Sequence, residues 1–154
     1  MFSELLSEEN LKLIEKDDYV DLKSLDDLFK IVTDKYVQFV LIEASTPISD
    51  PTRLKNNRNI LAEACNDVNR FYFWTYERNN KPHNLSMQMN QMRILTNMIV
   101  DELRLIEQRL LMFDQLKVAQ KTLDGSTKAF RIAVIGLIIS FLSVITSIIF
   151  SLIS

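Results

Sequence analysis

Apolar residues recur at helical spacing along most of this chain and then, over residues 132–153, become almost continuous. The pattern predicts a short first helix over residues 3–16. Ser24 with Asp27 makes a capping-box-like start for a second helix. Leu25, Leu28, Phe29, Val32, Tyr36, Phe39 and Val40 fall on one face of it, and it stops before Pro47. Asp50-Pro51 supplies an N-cap and a first-turn proline for a third helix bearing Leu54, Leu61, Cys65, Val68, Phe71 and Tyr72. That helix fades at Asn79-Asn80, and a fourth is expected over residues 84–123, with Asp124-Gly125 as its terminator. Only two glycines and three prolines occur, and neither type interrupts the periodic segments. The expected fold is all-α: a bundle of about four helices in one domain, 1–125, followed by a C-terminal helix, 126–154.

That last segment sets the expected location. Residues 132–153 carry no charge and are mostly Ile, Leu, Val and Phe. A helix of that length is roughly 33 Å long, enough for a hydrocarbon core of about 30 Å. A single transmembrane helix is therefore expected, with the lipid bilayer as a partner. Lys117, Lys121, Lys128 and Arg131 precede it and no base follows it, which places the N-terminal domain in the cytoplasm. The opening MFSELLSEEN has acids where a secretion signal needs bases. The lone Cys65 cannot form an internal disulfide.

Small residues recur along the run at Ala133, Gly136, Ser140, Ser143, Ser147, Ser151 and Ser154, steps that keep them on one stripe. Such a stripe lets helices approach closely, which predicts a homo-oligomer. In its sharper form, several copies would form a ring whose serines line a pore. Serine hydroxyls also bond back to their own backbone, which leaves simple helix packing open.

The fourth helix carries a coiled-coil-like seam at Met92, Leu95, Ile99, Leu103, Ile106, Leu110 and Phe113, flanked by Met98, Leu105 and Leu111. Core packing is its default use. Met87, Met89, Met92 and Met98 suit either an adaptable contact or gap-filling in the core.

Net charge is −2, and because Lys128 and Arg131 lie after Ser126 the preceding part stands at −4. That balance argues against a strong nonspecific nucleic-acid face. Residues 53–81 nevertheless hold Arg53, Lys55, Arg58, Arg70, Arg78 and Lys81 against Glu63, Asp67 and Glu77. This is a modest basic patch for a short RNA or an ordinary solvated face. The run Phe71-Tyr72-Phe73-Trp74 with Tyr76 reads mainly as core, its odd members facing a neighbour. One His and one Cys make a zinc site implausible, and neither a phosphate loop nor a nucleophile elbow is present. No cofactor or metal is expected.

One motif holds candidate chemistry. Arg78-Asn79-Asn80-Lys81-Pro82-His83 fits R-N-x-x-x-H and contains the only histidine. Arginine can hold a phosphate and histidine can move a proton near neutral pH, as metal-independent RNA cleavage requires. The plainer use of Arg78 is an ion pair with an acid such as Glu77. In a helical setting the motif resembles the HEPN superfamily, which implies ribonuclease roles for Arg78 and His83 and a dimer that brings two motifs together. With one membrane span and this size, the chain also resembles the membrane accessory proteins of type VI-B CRISPR loci. That resemblance implies an RNA-guided effector nuclease as partner and antiviral defence at the bacterial inner membrane. Three readings follow: an oligomeric accessory protein that permeabilises the membrane, a tethered HEPN ribonuclease, or a tail-anchored adaptor with neither activity.

Overall fold

The computed structural model describes residues 1–17, 19–81 and 84–153, with side chains other than those of 141 and 143–153. Its elements are α1 (Glu8–Ile14), β1 (Glu15–Lys16), β2 (Tyr19–Val20), α2 (Leu22–Ala44), α3 (Pro51–Arg78) and α4 (Ser86–Ile153).

Local chemistry explains most of the boundaries. The Ser7 hydroxyl accepts from the Asn10 amide at 3.3 Å and opens α1. Asp50 accepts from the Arg53 amide at 3.0 Å, and Pro51, which lacks an amide hydrogen, takes the first turn of α3. Before α2 the cap is Asp21, earlier than Ser24, whose hydroxyl donates to the Asp21 carboxylate at 2.6 Å. The first helix is shorter than the periodicity predicts. The chain leaves it at Glu15 and folds back as an antiparallel hairpin that pairs Glu15 with Val20. Asp17 in that turn has φ 47°, a left-handed conformation that Asp tolerates better than most residues. Among the described residues, regular structure is thus helical apart from one ribbon of two residues per strand.

Asp124-Gly125 does not end the fourth helix, which runs through both residues. Gly125 is not in a positive-φ conformation, and a left-handed glycine is what the usual helix terminator needs. A helical glycine costs only about 1 kcal/mol relative to alanine, too little to break a helix with good formers on both sides.

The expected transmembrane helix is overturned. Among the described residues, no helix is long and apolar enough to cross a membrane. The described side chains beyond Arg131 are 132–140 and Leu142, and three of them are Ala133, Gly136 and Ser140. A span needs about 18 or more consecutive, predominantly apolar residues. A single-pass anchor in the inner membrane fails on that finding. The segment is instead the far part of a 68-residue helix that also carries Lys117, Lys121, Asp124, Lys128 and Arg131.

Two compact units divide the chain, Met1–Phe113 and Asp114–Ser154. The first holds a single core. Met92, Leu95, Ile99 and Ile106 of α4 share it with Leu25, Val32 and Tyr36 of α2 and Leu54, Leu61, Val68 and Phe71 of α3. Phe2, Leu6 and Leu11 close it from the N-terminal side. The coiled-coil-like seam is therefore used inside the unit, with Leu103 and Leu110 half-buried at its margin. In the second unit, every described side chain from 114 to 140 is exposed.

Ile99 is fully buried, so Ile99→Ala should lower stability by about 2–5 kcal/mol. Leu13→Ala, at a side chain 74% exposed, should change it little. Thermal melts of the two variants beside the parent check the difference.

Candidate functional site

The R-N-x-x-x-H motif begins on the last residue of α3, and the structure shows what holds its arginine. Arg78 Nη2 donates to Glu15 Oε2 at 2.7 Å, and Nη1 donates to the Trp74 carbonyl at 3.2 Å. The guanidinium carbon lies 4.2 Å from the centroid of the Trp74 ring, a cation–π contact. Glu77, the acid nearest in sequence, stands further off at 3.8 Å. Lys81 Nζ takes the other oxygen of Glu15 at 2.9 Å. Two cations thus converge on one carboxylate, in the arrangement that would otherwise receive an anion. Here the anion is internal, delivered by the hairpin from more than sixty residues away.

Asn79 has a separate task. Its side-chain oxygen accepts from the Leu85 amide at 3.2 Å and fixes the chain's approach to α4. His83 and Pro82 lie outside the described residues, so the pairing of Arg78 with His83 has no geometry here. In chemical terms the described half of the motif is a clasp. Glu15 would compete with a phosphate oxygen for the Nη2 group of Arg78, while the buried Nε has no hydrogen-bond partner among the described residues. Beside it, an open hollow of about 470 Å³ between α1 and α3 is lined by Ser3, Ser7, Glu8, Arg70, Trp74 and Glu77.

The aromatic run divides by helical face. Phe71 is buried and Tyr72 and Trp74 are half-buried, while Phe73 and Tyr76 are exposed. The basic residues divide too: Arg53, Lys55, Arg58 and Arg70 are exposed along α3, whereas Arg78 and Lys81 are bound to Glu15.

A second polar cluster, which sequence reasoning missed, lies between α2 and α4. Glu43 is 1% exposed and accepts from Arg109 Nη1 at 2.6 Å. The other terminal nitrogen of Arg109 donates to the Thr46 carbonyl, just beyond α2. Asn57 of α3 donates to the Thr46 hydroxyl at 3.4 Å. Glu102 joins from α4. Burial, together with a hydrogen bond to Glu43, pushes its carboxyl above the ordinary value, and the Arg109 charge only partly offsets this. Next to the cluster, a groove of about 340 Å³ runs past Tyr36, Val40, Leu41, Met98 and Leu105. The Tyr36 hydroxyl donates to the Met98 carbonyl at 2.9 Å, and burial beside Glu102 and Asp101 pushes its pKa up to about 12.

A signal for Glu43 was available. It falls on the buried stripe that runs through Leu25, Val32 and Tyr36. A charge at such a position requires a partner, although the sequence does not name Arg109. Glu15 offered no comparable signal.

The small-residue stripe is partly described. Ala133, Gly136 and Ser140 are exposed. The Ser140 hydroxyl donates to the Gly136 carbonyl at 2.9 Å, the back-bonded arrangement open to a helical serine. A side chain at Gly136 would meet open space. The side chains of Ser143, Ser147 and Ser151 lie outside the described residues.

No protein-family model, curated protein or solved structure matches the chain. The HEPN resemblance therefore rests on the motif residues alone, and the type VI-B resemblance loses the membrane span on which it partly rested.

The two ion pairs yield separate tests. Glu15 is held below the ordinary carboxylate value of 4.5, mainly by the Arg78 hydrogen bond and then by the one from Lys81. A lowered folded-state value means that its stabilisation is complete above 4.5 and is lost as pH falls below that. Glu15→Gln should accordingly melt below the parent at pH 7, and the gap should close in acid. Arg109→Met leaves the Glu43 carboxylate buried without its cation and should cost about 3–5 kcal/mol in denaturant titration. Adding Glu43→Gln should recover part of that loss.

Proposed function

We propose that this chain is a non-catalytic assembly protein, a small helical body that joins copies of itself through the far part of α4. The observation that carries this reading is the second unit. Leu116, Leu123, Phe130 and Leu137 stand 63–73% exposed on a helix that lends them no intramolecular core. Apolar surface of this extent marks a binding face when it is contiguous, and a helix needs packing of its apolar face for most of its stability. Homo-oligomerisation is thus the part of the small-residue pattern that the geometry supports.

The state of Arg78 points the same way. A ribonuclease would need that guanidinium for a phosphate, whereas here it clasps the N-terminal hairpin to α3 through Glu15. An accessory protein that acts by assembling requires no cleavage chemistry of its own.

Sedimentation of the full chain tests the reading. The parent should run as an oligomer at micromolar concentration. Leu123→Asp with Phe130→Asp should run as a monomer while keeping the parent's thermal transition for the buried core. A monomeric parent would contradict the proposal.

A further inference from the structure

This inference rests on the self-association just proposed and concerns how the copies meet. From Met112 to Ser140 the residues Met112, Leu116, Ala119, Leu123, Ser126, Phe130, Ala133, Leu137 and Ser140 follow strict steps of 4 and 3. Every one of them is exposed. This is a heptad seam held for about four repeats, distinct from the buried seam of Met92 to Ile106 on the same helix.

Its composition is unusual. One core position is always large (Leu116, Leu123, Phe130, Leu137), and the other is small from Ala119 onward (Ala119, Ser126, Ala133, Ser140). The bases Lys117, Lys121, Lys128 and Arg131 occupy neither core position, and the flanking positions beside the seam are uncharged: Gln120, Thr122, Thr127, Ala129, Val134, Gly136.

In a parallel pair, like positions face each other. Alanine and serine layers would leave voids, and leucine and phenylalanine layers would be crowded. In an antiparallel pair, each large position faces a small one, so every layer has similar volume, as close packing requires. One alignment does this for all four large residues at once: Leu116 faces Ser140 of the second chain, Leu123 faces Ala133, Phe130 faces Ser126, and Leu137 faces Ala119. Shifting by a heptad either sets Leu137 against Met112 or takes Leu116 out of the 116–140 segment, so that only three large residues keep a small partner. The large and small series are spaced so that the segment complements its own reverse. A two-fold contact between identical chains needs that property, and an unrelated partner does not. The uncharged flanks put no like charges across the pair, and their small members allow close approach.

We infer that residues 116–140 of two copies pair antiparallel, Leu116, Leu123, Phe130 and Leu137 of each chain seating on Ser140, Ala133, Ser126 and Ala119 of the other. The occupant of this exposed face is a second copy of the chain.

Disulfide trapping in full-length protein tests the arrangement. Cys65→Ala removes the native thiol, and Ala119→Cys and Leu137→Cys are placed singly in differently tagged chains that are co-expressed. In the antiparallel pair the two cysteines face each other. In a parallel pair they stand about 27 Å apart along the axis, far beyond disulfide reach. The expected result is a disulfide between the differently tagged chains, and none in Ala119→Cys protein alone. Ser126→Cys with Phe130→Cys repeats the reading at the centre of the seam, should either outer variant fold poorly. Disulfides within Ala119→Cys or Ser126→Cys protein alone, in a sedimenting dimer, would overturn the antiparallel arrangement while leaving self-association intact. A protein monomeric in sedimentation, cross-linking in no combination or taken up as single chains by phospholipid vesicles, would overturn both.

Discussion

The first unit depends on one stripe of one helix. Met92, Leu95, Ile99 and Ile106 of α4 share one core with α2, α3 and the N-terminal residues, and all four are essentially removed from solvent. At about 25 cal/mol per Å² of apolar area, burying each such side chain contributes roughly 1.5–3 kcal/mol. The stripe's last buried member is Ile106, and the unit ends at Phe113. Beyond that point α4 continues to Ile153, and every described side chain from 114 to 140 is exposed. One helix thus has two apolar surfaces, one buried within the first unit and one exposed.

Buried charge refines this picture. Glu43 sits where an apolar residue would be expected and is tolerated because Arg109 crosses from α4 to meet it. That pair ties the end of α2 to α4 just past Ile106. The Glu15 clasp does comparable work at the other end of α3, where Arg78 stacks on Trp74 and reaches the hairpin. Each is a long-range contact whose loss leaves an unpaired charge, so each fixes one arrangement of helices more sharply than apolar packing alone.

Helical periodicity made most of the fold legible. The Asp50-Pro51 start, the apolar faces of α2 and α3, and the seam at Met92, Leu95, Ile99 and Ile106 followed from spacing and capping chemistry. What failed were local signals overruled by their surroundings. Asp124-Gly125 resembles a helix end, yet a glycine without a left-handed conformation does not stop a helix. The stretch 3–16 has helical spacing, yet the left-handed Asp17 and the pairing of Glu15 with Val20 turn its end into a hairpin. The hydrophobic run after Arg131 suggested a membrane span, which the described residues do not supply. Spacing also gave no sign of Glu15, which reaches Arg78 from a distant segment.

The central claim is that the far part of α4 is stabilised by pairing between chains. Backbone amide hydrogen exchange tests it most directly, because a solitary helix with its apolar face in water opens readily, whereas a packed one does not. Measured on the full chain across a dilution series, amides of residues 114–140 should be protected at high concentration and lose protection on dilution. Those around Ile99 should hold theirs throughout. Fast exchange in 114–140 at every concentration, or protection independent of concentration, would contradict the account.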